Sequence, residues 1–284
     1  MKIAVYNYRE FDEGQYFEKF SQHYCVEIIK IYDSPNKENA VLAKGCNGVS
    51  VITTAITKEI IEIWHEQGVK HISTRTIGYD HIDLKAAKAN KMIVSNVTYS
   101  TARVANYTVM IMLMALRKMK MIMRRAIGFD YSLNGSIGLE LENMVVGVIG
   151  TGAIGQKVIK NLSGFGCQIL AYDPFEKEEV RKYADYVAME EIITKSDIIT
   201  FHVPALEDTY HLVCRETIEK MKDGVIIINT ARGSIIDTSD LISALESGKI
   251  AACALDVIEN ELGLYYNDYK HKVIGNHELS ILRD

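Results

Sequence analysis

The amino-acid sequence predicts an α/β protein with two domains, each built on a parallel β-sheet. Short runs rich in β-branched residues alternate with longer polar-apolar stretches, the pattern of strands joined by crossover helices. A glycine-marked turn at residues 134–138 precedes a second series of such runs. The length of 284 residues suits two domains better than one core.

The first domain is expected to comprise residues 1–98. Polar-apolar stretches such as residues 57–66 and 84–90 have the spacing of helices and separate its strands. The strands are predicted at residues 3–6, 26–31, 49–53, 71–74 and 92–96. This alternation indicates a parallel sheet with helices on both faces.

The second domain is expected to comprise residues 99–284. Ser100 is predicted to cap one long helix over residues 101–127, before the turn at residues 134–138. The strands of this domain are predicted at residues 144–149, 168–172, 198–202, 225–229 and 251–257.

The charge and hydropathy of the chain argue against nucleic acid and membranes as partners. The formal net charge is −5 and the sequence pI is 5.9, and a mildly acidic surface does not attract polyanions. The most apolar stretch, residues 109–116, is far shorter than the about 20 residues that span a bilayer. The N-terminus enters a strand pattern directly, without the features of a signal peptide.

The five cysteines show neither CxxC spacing nor the spacing of zinc ligands. We expect them to be reduced thiols, which is typical of a cytoplasmic protein. No metal site is expected.

A glycine-rich turn indicates a dinucleotide site. The segment GTGAIG at residues 150–155 follows a predicted strand and opens a helix, as the GxGxxG motif requires. Gly150 allows the tight turn, Gly152 lets a pyrophosphate approach the backbone, and Gly155 lets helix and strand pack closely. Asp173 ends the next strand. Its carboxylate would bind ribose hydroxyls and repel a 2′-phosphate, so NAD is expected rather than NADP.

Further motifs make the sequence resemble the D-isomer-specific 2-hydroxyacid dehydrogenase family over nearly its whole length. The motifs occur in the order and spacing of the family: STRTIGYDHID at 73–83, NVTYS at 96–100, GTGAIG at 150–155, HVP at 202–204, NTARG at 229–233 and LDVIENE at 255–261. Within the family, the resemblance is greatest to D-lactate dehydrogenases, including those of the vancomycin-resistance type. It implies a flavodoxin-like substrate domain followed by a Rossmann dinucleotide-binding domain.

The expected catalytic residues are Arg232 and Glu261. A 2-keto acid carries a carboxylate beside the carbonyl that accepts hydride, and the planar guanidinium of Arg232 can bind that carboxylate and polarise the carbonyl. The resemblance makes Glu261 the acid that hydrogen-bonds the catalytic histidine and raises its pKa. Glu259 is expected to pack or to form a salt bridge outside the site.

The resemblance also assigns substrate contacts to the first domain. Ile77 and Gly78 are expected to present backbone N–H groups to the substrate carboxylate, and Tyr99 to close over the substrate side chain.

NAD is the cofactor that the resemblance implies. Asp256 is expected to contact the nicotinamide side of the cofactor. The expected cofactor-binding residues are Gly150, Gly152, Ala153, Ile154, Gly155, Asp173, Val203, Pro204, Thr209, Thr230, Ala231 and Asp256.

The sequence departs from the family pattern at several positions. Ala153 stands where the family often has Arg or His inside the glycine turn. Thr101 stands where the family usually has proline, and Asn106 where it usually has an acidic residue. In the family, the proton donor is a histidine in a Pro-His context. Counted from the position of Glu261, that histidine would lie beyond Asp284, the last residue of this sequence. We therefore expect the 284-residue polypeptide to lack that histidine and the C-terminal return to the first domain, and to be impaired.

The expected reaction reduces a small 2-keto acid, pyruvate first among them, to the D-2-hydroxy acid. NADH supplies the hydride and a histidine the proton. Two alternatives stay open: a reductase of another 2-keto acid such as hydroxypyruvate, and an NAD-sensing binding protein. Retention of both Arg232 and Glu261 favours an enzyme.

The methionine-rich stretch at residues 101–127 is expected to contribute to a homodimer, as it does in relatives. Its apolar run is too hydrophobic for a solvated helix and too short for a membrane span.

Overall fold

Parallel strands form the sheet of the first unit, Met1–Tyr99. The computed structural model describes residues 1–261. The strands of this unit are β1 (Lys2–Val5), β2 (Glu27–Lys30), β3 (Gly48–Val51), β4 (His71–Thr74) and β5 (Ile93–Ser95). Their order in the sheet is β2-β1-β3-β4-β5, and every pairing is parallel. This is the expected flavodoxin-like order.

Helices connect these strands and cover the sheet. They are α1 (Glu10–Tyr24), α2 (Lys58–Glu66) and α3 (Leu84–Ala89). Helix α2 buries Ile60, Ile61 and Trp64, whose spacing puts them on one helical face. The Trp64 indole N–H donates to the Tyr6 hydroxyl at 3.2 Å, so the one polar atom of this buried ring has a partner.

The second unit begins at Ser100 and contains a six-stranded parallel sheet among the described residues. Its strands are β6 (Val145–Ile149), β7 (Gln168–Tyr172), β8 (Asp185–Tyr186), β9 (Ile198–Phe201), β10 (Val225–Asn229) and β11 (Ile250–Leu255). The sheet order is β11-β10-β9-β6-β7-β8, which is the expected Rossmann order read from its other edge. The sequence did not predict β8, because its two residues form no β-branched run.

The helices of the second unit are α4 (Ala102–Leu116), α5 (Met119–Ile127), α6 (Ala153–Leu162), α7 (Met189–Lys195), α8 (Arg215–Lys220) and α9 (Thr238–Ser247). Among residues 1–261, none of the helices is both long enough and apolar enough to cross a membrane.

The prediction of a single helix over residues 101–127 is wrong. Lys118 adopts a left-handed backbone conformation (φ 50°) and separates α4 from α5. The chain returns onto this break, where the Leu139 N–H donates to the Leu116 carbonyl at 3.0 Å. Ser100 is not the capping residue either: α4 is preceded by Thr101, which makes no side-chain cap.

The parallel arrangement determines where a site can form. Strands β6, β9, β10 and β11 run in the same direction, so the segments that follow them emerge at the same edge of the sheet. Ligands of open α/β sheets bind at this carboxyl edge.

Candidate active site

The turn after β6 requires glycine at two positions for steric reasons. Gly150 has φ +94°, and a Cβ atom there would lie 2.6 Å from the carbonyl oxygen of His202. A Cβ atom on Gly155 would lie 1.9 Å from the carbonyl oxygen of Gly150. Helix α6 therefore begins in close contact with the end of β6 and with the segment after β9.

Gly152 is different, because a Cβ atom there would meet open space. The N–H groups in the first turn of α6, which include those of Ala153 and Ile154, have no intrahelical partners by the geometry of a helix. An open approach to such N–H groups fits the pyrophosphate of a dinucleotide.

Asp173 follows β7 and already organises the glycine turn. Its carboxylate accepts hydrogen bonds from the Thr151 N–H at 2.7 Å and the Phe175 N–H at 2.8 Å. An ionised carboxylate offers about four lone-pair sites, so it can accept ribose hydroxyls as well. The residue therefore fits an adenosine ribose beside the turn.

The segment after β9 has a fixed shape. The Thr209 hydroxyl donates to the Pro204 carbonyl at 2.6 Å and accepts from the Leu206 N–H at 2.9 Å. Val203 packs beside Gly150. Burial lowers the pKa of the His202 imidazole to about 3, although part of the residue reaches solvent. His202 is therefore neutral near pH 7 and has no imidazolium proton to give to a substrate.

The turn after β10 presents Arg232. The buried Asn229 side chain donates to the Arg232 carbonyl at 2.8 Å and accepts from the Ala231 N–H at 3.0 Å. The Thr230 hydroxyl lies 2.9 Å from the hydroxyl of Thr108 on α4. These contacts fix the backbone on both sides of the arginine.

The segment after β11 packs directly against this turn. A Cβ atom on Gly233 would lie 2.2 Å from the carbonyl carbon and oxygen of Ile258, so only glycine fits between the two segments. The Glu261 carboxylate accepts from the Ile258 N–H at 2.7 Å. Arg232 and Asp256 are both close enough to act electrostatically on Glu261.

Burial raises the pKa of the Glu261 carboxyl above its ordinary value, and the charge of Asp256 adds to this effect. The Ile258 N–H and the Arg232 guanidinium act in the opposite direction. The Tyr107 hydroxyl hydrogen-bonds Asp256, and burial, with that carboxylate, raises the pKa of Tyr107. The guanidinium of Arg232 and the carboxylates of Asp256 and Glu261 thus act on one another in this region.

In the first unit, the segment after β4 presents Ile77 and Gly78. The Ile77 carbonyl accepts from the Asn96 side chain at 2.8 Å, and the Thr76 carbonyl accepts from the Val97 N–H at 3.3 Å. Each carbonyl shares a peptide plane with the next N–H, so these bonds also fix the directions of the Ile77 and Gly78 N–H groups.

Tyr99 lies at the end of the first unit, with about half of its surface exposed (47%). The second-unit residues of the expected site come together at the carboxyl edge of the sheet, after β6, β7, β9, β10 and β11. Sequence reasoning assigned no role to Asn96 or Asn229, although both lie inside the quoted motifs. It did not find Tyr107 and Thr108, because nothing in α4 marks them as neighbours of the strand ends.

Comparison with known proteins identifies the family of this chain. Residues 109–281 match the family model for the NAD binding domain of D-isomer specific 2-hydroxyacid dehydrogenases. An aromatic 2-oxoacid reductase of Clostridium sporogenes is 41% identical over 286 residues, covering 100% of this chain and 86% of the relative. A D-specific alpha-keto acid dehydrogenase of Enterococcus faecalis is 42% identical over 99% of this chain and 86% of its own length.

A solved structure, that of the pyruvate reductase of Chlamydomonas reinhardtii, superposes with a TM-score of 0.87. It shares 33% identity, covering 100% of this chain and 86% of that one. The chain is thus a member of the D-isomer-specific 2-hydroxyacid dehydrogenase family, with NAD as its cofactor.

Proposed function

We propose that this chain reduces a small 2-keto acid, with pyruvate as the substrate, to the D-2-hydroxy acid at the expense of NADH. The observation that carries the proposal is the grouping of Arg232, Asp256 and Glu261 at the carboxyl ends of β10 and β11. A guanidinium suits a carboxylate substrate, and a partly buried carboxyl suits the control of a proton. The neighbouring glycine turn suits the dinucleotide.

In this proposal the substrate carboxylate is bound by the Arg232 guanidinium, whose planar fork matches it. The N–H groups of Ile77 and Gly78, held in direction by the segment after β5, also donate to the substrate. Tyr99 is assigned to the substrate side chain.

The cofactor supplies the hydride when it is bound. We assign the pyrophosphate to the first turn of α6 and the adenosine ribose to Asp173. Asp256 would orient the nicotinamide end. The remaining assigned contacts come from the segments after β9 and β10, namely Val203, Pro204, Thr209, Thr230 and Ala231.

Proton transfer is assigned to Glu261 together with a histidine outside the described residues. A raised pKa lets the Glu261 carboxyl hold a proton closer to neutral pH than an ordinary glutamate does.

A bulkier substrate is the second candidate. It is supported by the 41% identity to a relative named aromatic 2-oxoacid reductase. The two candidates share every residue assigned above except those that meet the substrate side chain.

The proposal is tested by following NADH oxidation with a panel of pyruvate, hydroxypyruvate, a branched 2-keto acid and phenylpyruvate, with chiral analysis of the product. A D-hydroxy acid formed fastest from pyruvate supports the first candidate, and one formed fastest from phenylpyruvate supports the second. Tight NADH binding without turnover of any 2-keto acid would favour an NAD-sensing protein. Equal affinity for NADH and NADPH would contradict the role given to Asp173.

Arg232→Ala is expected to raise the KM for the keto acid and to lower kcat. A charge-assisted bond contributes about 1.5–3 kcal/mol, so a loss of about 10–100-fold in kcat/KM is the minimum. Arg232→Lys should recover only part of it, since an ammonium cannot match the fork. Steady-state kinetics measures this, and unchanged kcat/KM in Arg232→Ala would locate the substrate elsewhere.

Glu261→Gln is expected to lower turnover and yet to stabilise the fold at neutral pH. Because the folded-state pKa of Glu261 is raised, the folded chain binds this proton more tightly than the unfolded chain. The free energy of unfolding therefore falls as the pH rises from the ordinary glutamate pKa through the raised folded-state pKa. Above the folded-state pKa, the full loss of stability from the ionised Glu261 is present. Glutamine carries no charge and avoids this loss.

Chemical denaturation at pH 4 and pH 7.5 measures this difference. Glu261→Gln should exceed the parent in free energy of unfolding at pH 7.5, and the gap should narrow at pH 4. The exposed Glu219→Gln should match the parent at both values. A Glu261→Gln protein less stable than the parent at pH 7.5 would contradict the buried charge.

We also propose that the chain forms a homodimer through α5 and the segment after it. Helix α5 has no buried residue, and Ile127 and Phe129 are each 82% exposed. Tyr131 and Leu133, in the segment after α5, are exposed as well, and a run of exposed apolar side chains typically marks a contact with another protein.

A variant with Ile127→Lys and Phe129→Lys is expected to be monomeric at micromolar concentration, where the parent is dimeric. Light scattering measures both. The control is Phe175→Lys, which alters a phenylalanine of similar exposure (77%) in another segment and should leave the dimer intact. A monomeric parent, or a dimeric double variant, would contradict the assignment.

A further inference from the structure

A histidine lies between two carboxylates beside the candidate site. His211 Nε2 is 2.6 Å from Glu259 Oε1, and His211 Nδ1 is 3.3 Å from Asp237 Oδ2. The three side chains are each about one-quarter exposed or less. We call Asp237, His211 and Glu259 the His211 cluster. A protonated imidazole can donate to both carboxylates, whereas a neutral ring can donate to only one.

The backbone of His211 is held firmly. His211 has φ +48°, a conformation that non-glycine residues keep only where their surroundings impose it. Its N–H donates to the Ser234 carbonyl at 2.9 Å, in the short turn that follows Arg232. The Tyr210 ring stacks on the imidazole, with ring centroids 3.9 Å apart.

One end of the cluster is anchored to α9. Asp237 precedes this helix, and its carboxylate accepts from the N–H groups of Ser239 and Asp240, each at 3.0 Å. These bonds lower the pKa of Asp237, and the charge of His211 contributes in the same direction. The carboxylate that faces His211 Nδ1 is therefore fixed in place and ionised at neutral pH.

The other end of the cluster is the segment after β11. Glu259 lies between Asp256 and Glu261, and its neighbour Ile258 donates the N–H that binds the Glu261 carboxylate. A Cβ atom on Gly233 would lie 2.6 Å from the Glu259 backbone nitrogen. A change in the direction of Glu259 would therefore move the backbone that aims Glu261.

We propose that His211 is a positioning residue, which acts through Glu259 to hold the segment after β11 so that Asp256 and Glu261 face Arg232. This inference rests on the proposed function for its effect on turnover. Its structural part, the restraint of residues 256–261, does not. The sequence suggests only packing or a salt bridge outside the site for Glu259. This proposal adds a role for Glu259 in holding the segment after β11.

The test compares His211→Asn, Glu259→Gln and the double variant in the full chain. Asparagine tolerates the left-handed backbone but is too short to reach Glu259. Each single variant is expected to lower kcat about 10-fold, with the Kd for NADH and the KM for the keto acid changed less than about 3-fold. The double variant should lose no more than the worse single one, since both remove the same contact.

His211→Gln, whose amide N–H can reach Glu259, should recover part of the loss. The controls are the exposed His65→Asn and Glu219→Gln, which should match the parent. Single-variant losses that multiply in the double variant, or kcat values equal to that of the parent, would overturn the proposal.

Hydrogen–deuterium exchange tests the same proposal without catalysis. Amides of residues 256–261 should exchange about 10-fold faster in His211→Asn and Glu259→Gln than in the parent. Exchange in β6 should stay unchanged. If the parent reduces no 2-keto acid, the proposed function fails. Hydrogen exchange then still tests whether His211 and Glu259 restrain residues 256–261. Unchanged exchange at residues 256–261 would overturn it.

Discussion

The contact between Gly233 and the segment after β11 determines how the chemistry of this chain is arranged. No side chain fits between Gly233 and Ile258, so two backbone segments from neighbouring strands touch directly. This close approach puts Arg232 near the carboxylates of Asp256 and Glu261. Glu261 is partly buried there, and this burial is the main reason that its pKa is raised.

The glycine turn after β6 obeys the same constraint. Gly150 and Gly155 let three segments approach within van der Waals distance, while the position of Gly152 stays open. Gly150 and Gly155 thus allow close packing within the protein, whereas Gly152 leaves room for a ligand. The hydrogen bonds of the buried residues Asn229 and Thr108 add rigidity to the neighbouring turn. Pre-organised groups of this kind lose little energy to rearrangement when a substrate binds.

Local sequence pattern was enough to predict most of the framework. Apolar runs predicted ten strands, and the motifs located the glycine turn, Arg232 and Glu261 because each follows a strong strand. The break between α4 and α5 could not be predicted, since Lys118 takes the left-handed conformation there without a local glycine or proline, and the segment that contacts the break, Gly138 and Leu139, is distant in sequence. The pairing of His211 with Glu259 joins residues that are 48 positions apart, so no local pattern reports it.

The close approach at Gly233 is tested most directly by Gly233→Ala, measured as kcat/KM for the keto acid beside the Kd for NADH. A displacement of about 1 Å can cost about 100-fold in rate, so kcat/KM should fall by at least about 10-fold. The Kd for NADH should change less than kcat/KM does, because the glycine turn and Asp173 are untouched and only the nicotinamide-side contacts lie in the displaced segments. Gly164→Ala, which meets open space, should match the parent. A folded Gly233→Ala protein with the kcat/KM of the parent would contradict the account.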